Sequence, residues 1–486
     1  MSRYYSLQIS AVLTGHAYLE LFVLQRTPPY LNLASLHRSQ VPPYLLPSST
    51  EFRLQMPGQV TMSVGPARDR HSSISPLSTL QRALETLATT PPNFSNHMIV
   101  SSQLTTIRDV CAEVWSRDGA HGLARASSMI MLHMHIVLEG IEQLLTAHIS
   151  VSSSFITALA TSTLTSILPL CAPTLSNGHG TSSLCLRTAF VVLQCWNHQG
   201  SIGGPVDGPQ QAGSCVGMIR LMGVYLEQPG ASIAIAGALQ ERHLLQELTI
   251  DSAACRLAQI PSRIRGGLTL DGAVGQILVI FGLLKALTRN VEAWAPIIRF
   301  KVVLLLFQAL SYLSTSTRIS DDAAIVAIPQ IAHETFQWLK AKSVGIPKKM
   351  AQAVEGGALS IISATLGSPH GSPGTDCYDS VFNDLALVAL HTCYPALLKP
   401  LKHALSTRSV SRDNGGERAQ GLWTIIEANL ARSLAHYERG VSAVVCDNLT
   451  HSEVSNDSID PSGATKADWS LHRAECEDAK EIYLVT

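Results

Sequence analysis

Four side chains near the end of the chain have the types and the spacing of metal ligands. Cys446 is followed by His451, and His472 is followed by Cys476. The second pair lies four positions apart, so both side chains share one face of a helical turn. Zinc prefers four thiolate or imidazole ligands in a tetrahedron, often supplied as two closely spaced pairs. The sequence therefore predicts these four residues as candidate zinc ligands.

The residues around the second pair carry a family resemblance. The run 465–476 reads TKADWSLHRAEC, in which a basic residue and an Asp-Trp pair precede His-x-x-x-Cys. This run resembles the closing segment of a MYND zinc finger. The stretch 423–445 is similar to the lead-in of the finger in a group of fungal helical proteins that end in MYND. The resemblance implies a zinc-binding module that docks proline-containing peptides of partner proteins, with Trp469 as the packing or partner-contact aromatic.

The resemblance covers both edges of the finger and misses its middle. The family's last CxxxC pair would fall at Asp460 and Ala464, and its preceding CxxC pair and Tyr-Cys-Ser segment are absent. As the resemblance implies, an intact finger binds two zinc ions through interleaved pairs, so the four remaining ligands belong half to each site. Two interpretations stay open. Either a deletion or a mis-spliced gene model removed the middle and zinc binding with it, or the four ligands converge on one hybrid zinc site.

Other patterns that could carry catalysis stop short of a known motif. The His-Glu pair at His333 is not followed by the second histidine of a zincin. His133 and His135 are two positions apart, which places them on different faces of a helix, as core or surface residues. Asn197-His198 lacks the strand-rich surroundings of the SET methyltransferases that some MYND proteins contain. We therefore predict a non-enzymatic protein, with a MYND-linked methyltransferase or another unrecognised site as the alternative.

Composition narrows the class of partner and the compartment. Among 486 residues, 46% are apolar and only 15% are charged, below the usual quarter, and 35 basic against 36 acidic residues give a net charge of −1. Such a balance supplies no field to steer nucleic acid or an anionic membrane surface, so we expect protein partners, no nucleic acid and no membrane. The ten cysteines are scattered singly, which favours free thiols in a reducing compartment. We therefore expect an intracellular protein of the cytoplasm or nucleus.

Three regions follow from the distribution of prolines and of apolar periodicity. Residues 1–72 contain clustered prolines and are predicted to be poorly ordered. Residues 75–440 form the helical region, and residues 441–486 form the zinc-finger remnant. The first helix is expected at Ser75-Pro76, because serine can cap a helix and proline fits its first position.

Apolar residues recur at helical spacing through the whole middle region, beginning with Leu77, Leu80, Leu84 and Leu87. The predicted fold is all-α: an irregular helical array, of which an armadillo- or HEAT-like stack is one form, followed by a small degenerate zinc-finger tail. The uncharged stretch 155–175 could span a bilayer by length, but its Ser, Thr and Pro content favours a buried helix pair. Further helices are expected at about 97–117, 125–149, 154–171, 182–198, 214–226, 231–249, 270–289, 293–315, 321–342, 346–366, 379–405 and 416–439.

Overall fold

The computed structural model describes residues 75–91, 96–117, 120–147, 154–175, 183–198, 209–240, 242–316, 322–341, 345–368, 376–392, 394–407 and 416–438. Within these ranges the chain forms seventeen α-helices, one short 3-10 helix (Val291–Ala293) and no strand. The predicted all-α class is confirmed, whereas an armadillo- or HEAT-like stack stays a prediction. The predicted segments 1–72 and 441–486 lie outside the described residues. The helices are α1 (Pro76–Thr89), α2 (His97–Arg117), α3 (Ala120–Ala147), α4 (Ser154–Leu175), α5 (Ser183–His198), α6 (Pro209–Leu226), α7 (Ala231–Leu239), α8 (His243–Arg265), α9 (Leu270–Leu287), α10 (Trp294–Arg299), α11 (Val302–Ser316), α12 (Asp322–Lys340), α13 (Ile346–Glu355), α14 (Ala358–Leu366), α15 (Asp376–Leu390), α16 (Pro395–Ser406) and α17 (Gly416–Glu438).

Fourteen of the seventeen helices of the described region pack in two layers. One layer runs α2, α4, α6, α9, α12, α15 and α17, each packed on the next. The other runs α1, α3, α5, α8, α11, α13 and α16 in the same manner. Contacts such as α1 with α2, α3 with α4, α8 with α9 and α16 with α17 join the layers. Each helix therefore buries one side against the facing layer and two flanks against its neighbours, which explains how a chain with so few charges covers its apolar surface.

Helix α1 shows how local sequence and burial combine. Pro76 occupies its first turn, where no backbone donor is needed. The side chains of Leu80, Leu84 and Leu87 are buried, as their spacing predicts. The expected serine cap is absent: the Ser75 hydroxyl caps nothing, and its carbonyl instead accepts from Ser78 Oγ at 2.7 Å.

Helix α8 corrects the predicted helix at 231–249. That segment is two helices, α7 and the first turns of α8, and α8 then continues to Arg265. The sequence pattern missed this extension because the inward face of α8 is unusually polar, burying Gln246, Thr249, Ser252 and Arg256. These polar residues interrupt the apolar positions of the same face, which are Ile250, Ala253, Ala254, Leu257 and Ile260.

Three other predicted helices are broken in the structure. The segment 293–315 breaks between α10 and α11, where Lys301 has a φ of 54°. The segment 346–366 breaks at Gly357, whose φ of 101° is a left-handed conformation that favours glycine. The segment 379–405 ends its first helix before Pro395, which starts α16. In each case the interruption follows from backbone geometry and not from the apolar pattern.

Two apolar segments, 155–175 and helix α9, are the ones to compare with a membrane-spanning helix. The first is a single helix, α4, and not the predicted pair. Among the described residues, α9 is long and apolar enough to cross a bilayer, and a pair bent by 63°, Val291–Arg299 with Val302–Thr315, passes the same test if counted as one span. The core helix of a globular array has the same length and composition, and 56% of the α9 window is buried inside the protein.

Candidate functional site

The predicted zinc ligands Cys446, His451, His472 and Cys476 lie outside the described residues, so zinc binding stays a prediction. The lead-in that resembles the MYND proteins begins within them. Trp423 is 2% exposed on α17 and belongs to the core of the helical array. Nowhere in the described ranges do three or more His, Cys, Asp or Glu side chains come together as metal ligands would.

A histidine–aspartate pair joins α12 to α15. His333 Nδ1 lies 2.9 Å from Asp384 Oδ1, and the carboxylate side chain is only 2% exposed against 24% for the ring. A second hydrogen bond joins the ring to the backbone of Ser380, one turn before Asp384 on α15. Both contacts stabilise the protonated ring, because an imidazolium can donate to a carboxylate and to a carbonyl together.

Burial and the ion pair shift the pKa of each partner in opposite directions. Burial lowers the pKa of His333, but the hydrogen bond and charge of Asp384 outweigh it, so the pKa is raised. Burial raises the pKa of Asp384, and its neighbour His333 offsets only part of that rise. The pair therefore holds a proton firmly on His333 and lies where it can fasten two helices.

The next residue of α12, Glu334, contacts the neighbouring helix on the other side, α9. Glu334 Oε2 lies 3.3 Å from Lys285 Nζ on α9, with both side chains about one third exposed. Consecutive residues of α12 thus contact α15 on one side and α9 on the other. We interpret this polar cluster as structural, because its two ion pairs link helices of one layer.

A buried lysine closes the end of α12. Lys349 on α13 is fully buried, with its Nζ 3.2 Å from the Leu339 carbonyl and 4.0 Å from the Trp294 ring centre. The carbonyls in the last turn of a helix lack intrahelical donors and form the negative end of its dipole, which suits an ammonium group. Trp294 also packs on Trp338, whose indole N–H donates to Thr288 Oγ1 at 2.8 Å.

A buried arginine closes the end of α5 in the same way. Arg256 is 5% exposed; its Nη2 donates to the Trp196 carbonyl at 2.7 Å, and its guanidinium lies 4.0 Å over the Trp196 ring. Asn197 Nδ2 donates to Thr249 Oγ1 at 2.9 Å beside it. Asn197, which the methyltransferase alternative would need for its methyl donor, therefore makes a packing contact between α5 and α8.

One small cavity lies where α5, α6 and α7 meet. Its volume is about 10 Å³, and its lining includes Cys185, Tyr225, Gln228 and Gly230. Burial raises the pKa of Tyr225, and Gln228 Oε1 is buried with no hydrogen-bond donor. A space of this size holds about one water molecule. It is suited to a bound water and is too small for an organic substrate.

Sequence reasoning anticipated some of these residues and missed others. His133 is half-buried with its Nδ1 3.0 Å from the Met129 carbonyl, and His135 is exposed, which agrees with their predicted separation. His333 was considered only as part of a zincin motif, and its partner is 51 positions away. Lys349 and Arg256 belong to no sequence motif that would predict their contacts. A lone basic residue in an apolar helix is nevertheless a usable signal for a buried helix cap.

Large apolar side chains also lie on the surface of the array. Met98 is 83% exposed and Leu132 is 72% exposed. Others are Phe155, Leu244, Leu248, Leu278, Val291, Leu390 and Ile425. Comparison with known proteins adds no assignment for these surfaces: neither a protein-family model, nor a curated protein, nor a solved structure matches this chain.

Proposed function

We propose that this chain is a non-enzymatic interaction or scaffold protein that binds other proteins through its helical array and zinc through its C-terminal segment. The observation that carries the proposal is the two-layered array of α1 to α17, whose surface bears large exposed apolar side chains. Stacked helices present an extended surface to which partner proteins bind, and exposed apolar groups supply the contact area.

The C-terminal part of the proposal depends on the MYND resemblance. Cys446, His451, His472 and Cys476 would hold one zinc ion, and Trp469 would contact proline-containing peptides of a partner. If these four residues bind no metal, the role falls to the array alone. The state of the thiols in the array is consistent with the proposed intracellular location: Cys111, Cys171 and Cys195 are free and buried, and burial raises the pKa of each to about 12.

Metal content tests the zinc segment directly. We expect about one zinc ion per purified full-length chain, as for a single four-ligand site, and loss of that zinc in Cys476→Ser. Cys255→Ser is the matched control, because Cys255 is an exposed free cysteine of α8. Zinc that persists in Cys476→Ser, or no zinc in the wild-type protein, would overturn the zinc part.

Surface substitutions test the array. Leu132 and Phe155 are exposed large apolar residues, so Leu132→Glu and Phe155→Glu should leave the melting temperature unchanged. If the array binds partners, at least one of these variants should recover a co-purifying protein more than tenfold less well from the native lysate. Gln308→Glu, at an exposed polar position of α11, is the control. Identical recovery for all three variants would argue against binding at these surfaces.

A further inference from the structure

Helix α8 has a weakly charged stripe on its solvent side. Leu244 is 73% exposed and Leu248 is 43% exposed, while the inward side buries polar groups. The outward residues recur at alternating steps of four and three, which is the spacing of a helix-pairing seam. They are Leu244, Leu248, Asp251, Cys255, Ala258 and Ser262, of which all but the half-buried Asp251 are exposed.

The two halves of this stripe complement each other in size. The N-terminal half carries the two leucines, and the C-terminal half carries Ala258, Ser262 and then Gly266 just beyond the helix. Antiparallel pairing of two such stripes places large side chains opposite small ones, which is how facing helices interdigitate. With a twofold axis at Cys255, Leu248 faces Ser262 of the other copy and Leu244 faces Gly266.

The charges along α8 also favour antiparallel pairing. Acidic residues, Glu247 and Asp251, lie in the first half, and the basic residues of the last turn, Arg263 and Arg265, lie at its end. In the antiparallel arrangement the acidic half of one copy therefore lies beside the basic end of the other. A parallel arrangement would set like charges together, which is unfavourable.

The segment before α10 widens the apolar surface at the N-terminal end of α8. Val291 is 51% exposed. It is held beside α8 by a contact of His243 Nδ1 with Glu292 Oε2 at 3.4 Å and by an ion pair of Arg299 with Glu247 at 2.8 Å. The surface is thus rimmed by polar groups of both signs, as self-complementary interfaces are.

We propose that the outward stripe of α8 is a self-association surface that binds the same stripe of a second copy in antiparallel orientation. A helix of this length presents a strip of roughly 34 Å by 10 Å, or about 340 Å² per copy. A standard stable interface needs about 800 Å² per partner. The proposed dimer is therefore weak, and it is independent of the zinc segment.

The test combines sedimentation equilibrium with a disulfide trap in the full-length chain. At concentrations from about 1 to 100 μM we expect reversible dimerisation, weakened at least tenfold in Leu244→Glu/Leu248→Glu. Oxidation with copper-phenanthroline should join two Cys255 thiols across the twofold axis. Cys255→Ser should abolish that covalent dimer, and Gln308→Cys in the Cys255→Ser background, a control on exposed α11, should not restore it.

Charge reversal separates this pairing from any other contact. Glu247→Arg, made together with Arg299→Glu so that the ion pair within the chain is kept in reversed form, should weaken the dimer, and adding Arg265→Glu should restore it to within a few-fold of wild type. A chain that stays monomeric at 100 μM with a freely alkylated Cys255 overturns the proposal. So does a dimer that survives the leucine substitutions, because a different surface would then form it.

Discussion

Removing His333 while keeping Asp384 should cost far more stability than removing both. His333→Leu leaves a carboxylate that is 2% exposed without its ionic partner. Breaking a buried ion pair on one side costs about 3 to 5 kcal/mol, and we take about 3 because the histidine ring is partly solvated. At roughly 2 °C per kcal/mol for a large domain, the melting temperature should fall by about 6 °C.

The double variant His333→Leu/Asp384→Leu is the decisive comparison. Replacing both partners by apolar groups of similar volume leaves no buried charge, so the loss should be about 1 kcal/mol or less. Thermal melts followed by circular dichroism at pH 7 measure both variants beside wild type. If the double variant is as unstable as His333→Leu alone, the pair is not coupled and the reasoning is refuted.

The same pair predicts how stability depends on pH. The folded-state pKa of His333 is raised above 6.5, so its contribution is fully present below pH 6.5 and is lost as pH rises through the folded-state pKa. Asp384, raised above 3.8, acts in the same direction at lower pH. We expect the wild-type melting temperature to fall more between pH 6 and pH 8 than that of the double variant. Equal slopes would contradict this assignment.

Three further substitutions test the packing of the array. Gly356→Ala should destabilise the protein by about 3 kcal/mol, because its Cβ would lie 2.5 Å from the Leu304 carbonyl oxygen. The control Gly275→Ala on α9 meets nothing within 4 Å and should stabilise the protein by about 0.5 kcal/mol. Equal melting temperatures for the two variants would refute the close contact. Arg256→Met should cost about 2 kcal/mol, because the buried Trp196 carbonyl loses its donor. Urea titration measures this loss, and a shift near zero would show that the carbonyl finds another donor.

The regular helices were predictable from sequence, and their interruptions were not. Leu80, Leu84 and Leu87 mark the buried face of α1 because burial and 3.6-residue spacing coincide there. The break between α13 and α14 lies at Gly357, whose φ is 101°, and the close approach of α11 to Gly356 is a contact between distant residues that no local pattern records. Helix α8 was predicted only in part, because polar residues interrupt its buried face and Leu244 and Leu248 lie on its exposed side.

The polar clusters depend on contacts between distant parts of the chain. Asp384 is 51 positions from His333, and Thr249 is 52 positions from Asn197. Such pairs form only once the helices are stacked, so spacing along the chain carries no trace of them. The zinc ligands are the reverse case, because their signal is local and lies entirely in the tail sequence.

His333 and Glu334 are adjacent, and each contacts a different neighbour of α12. Consecutive side chains leave a helix about 100° apart around its axis. One holds α15 and the other holds α9, at 2.9 Å and 3.3 Å. Within two consecutive residues, α12 is therefore tied to both of its neighbours in the layer, so losing either contact leaves the helix joined to the other neighbour.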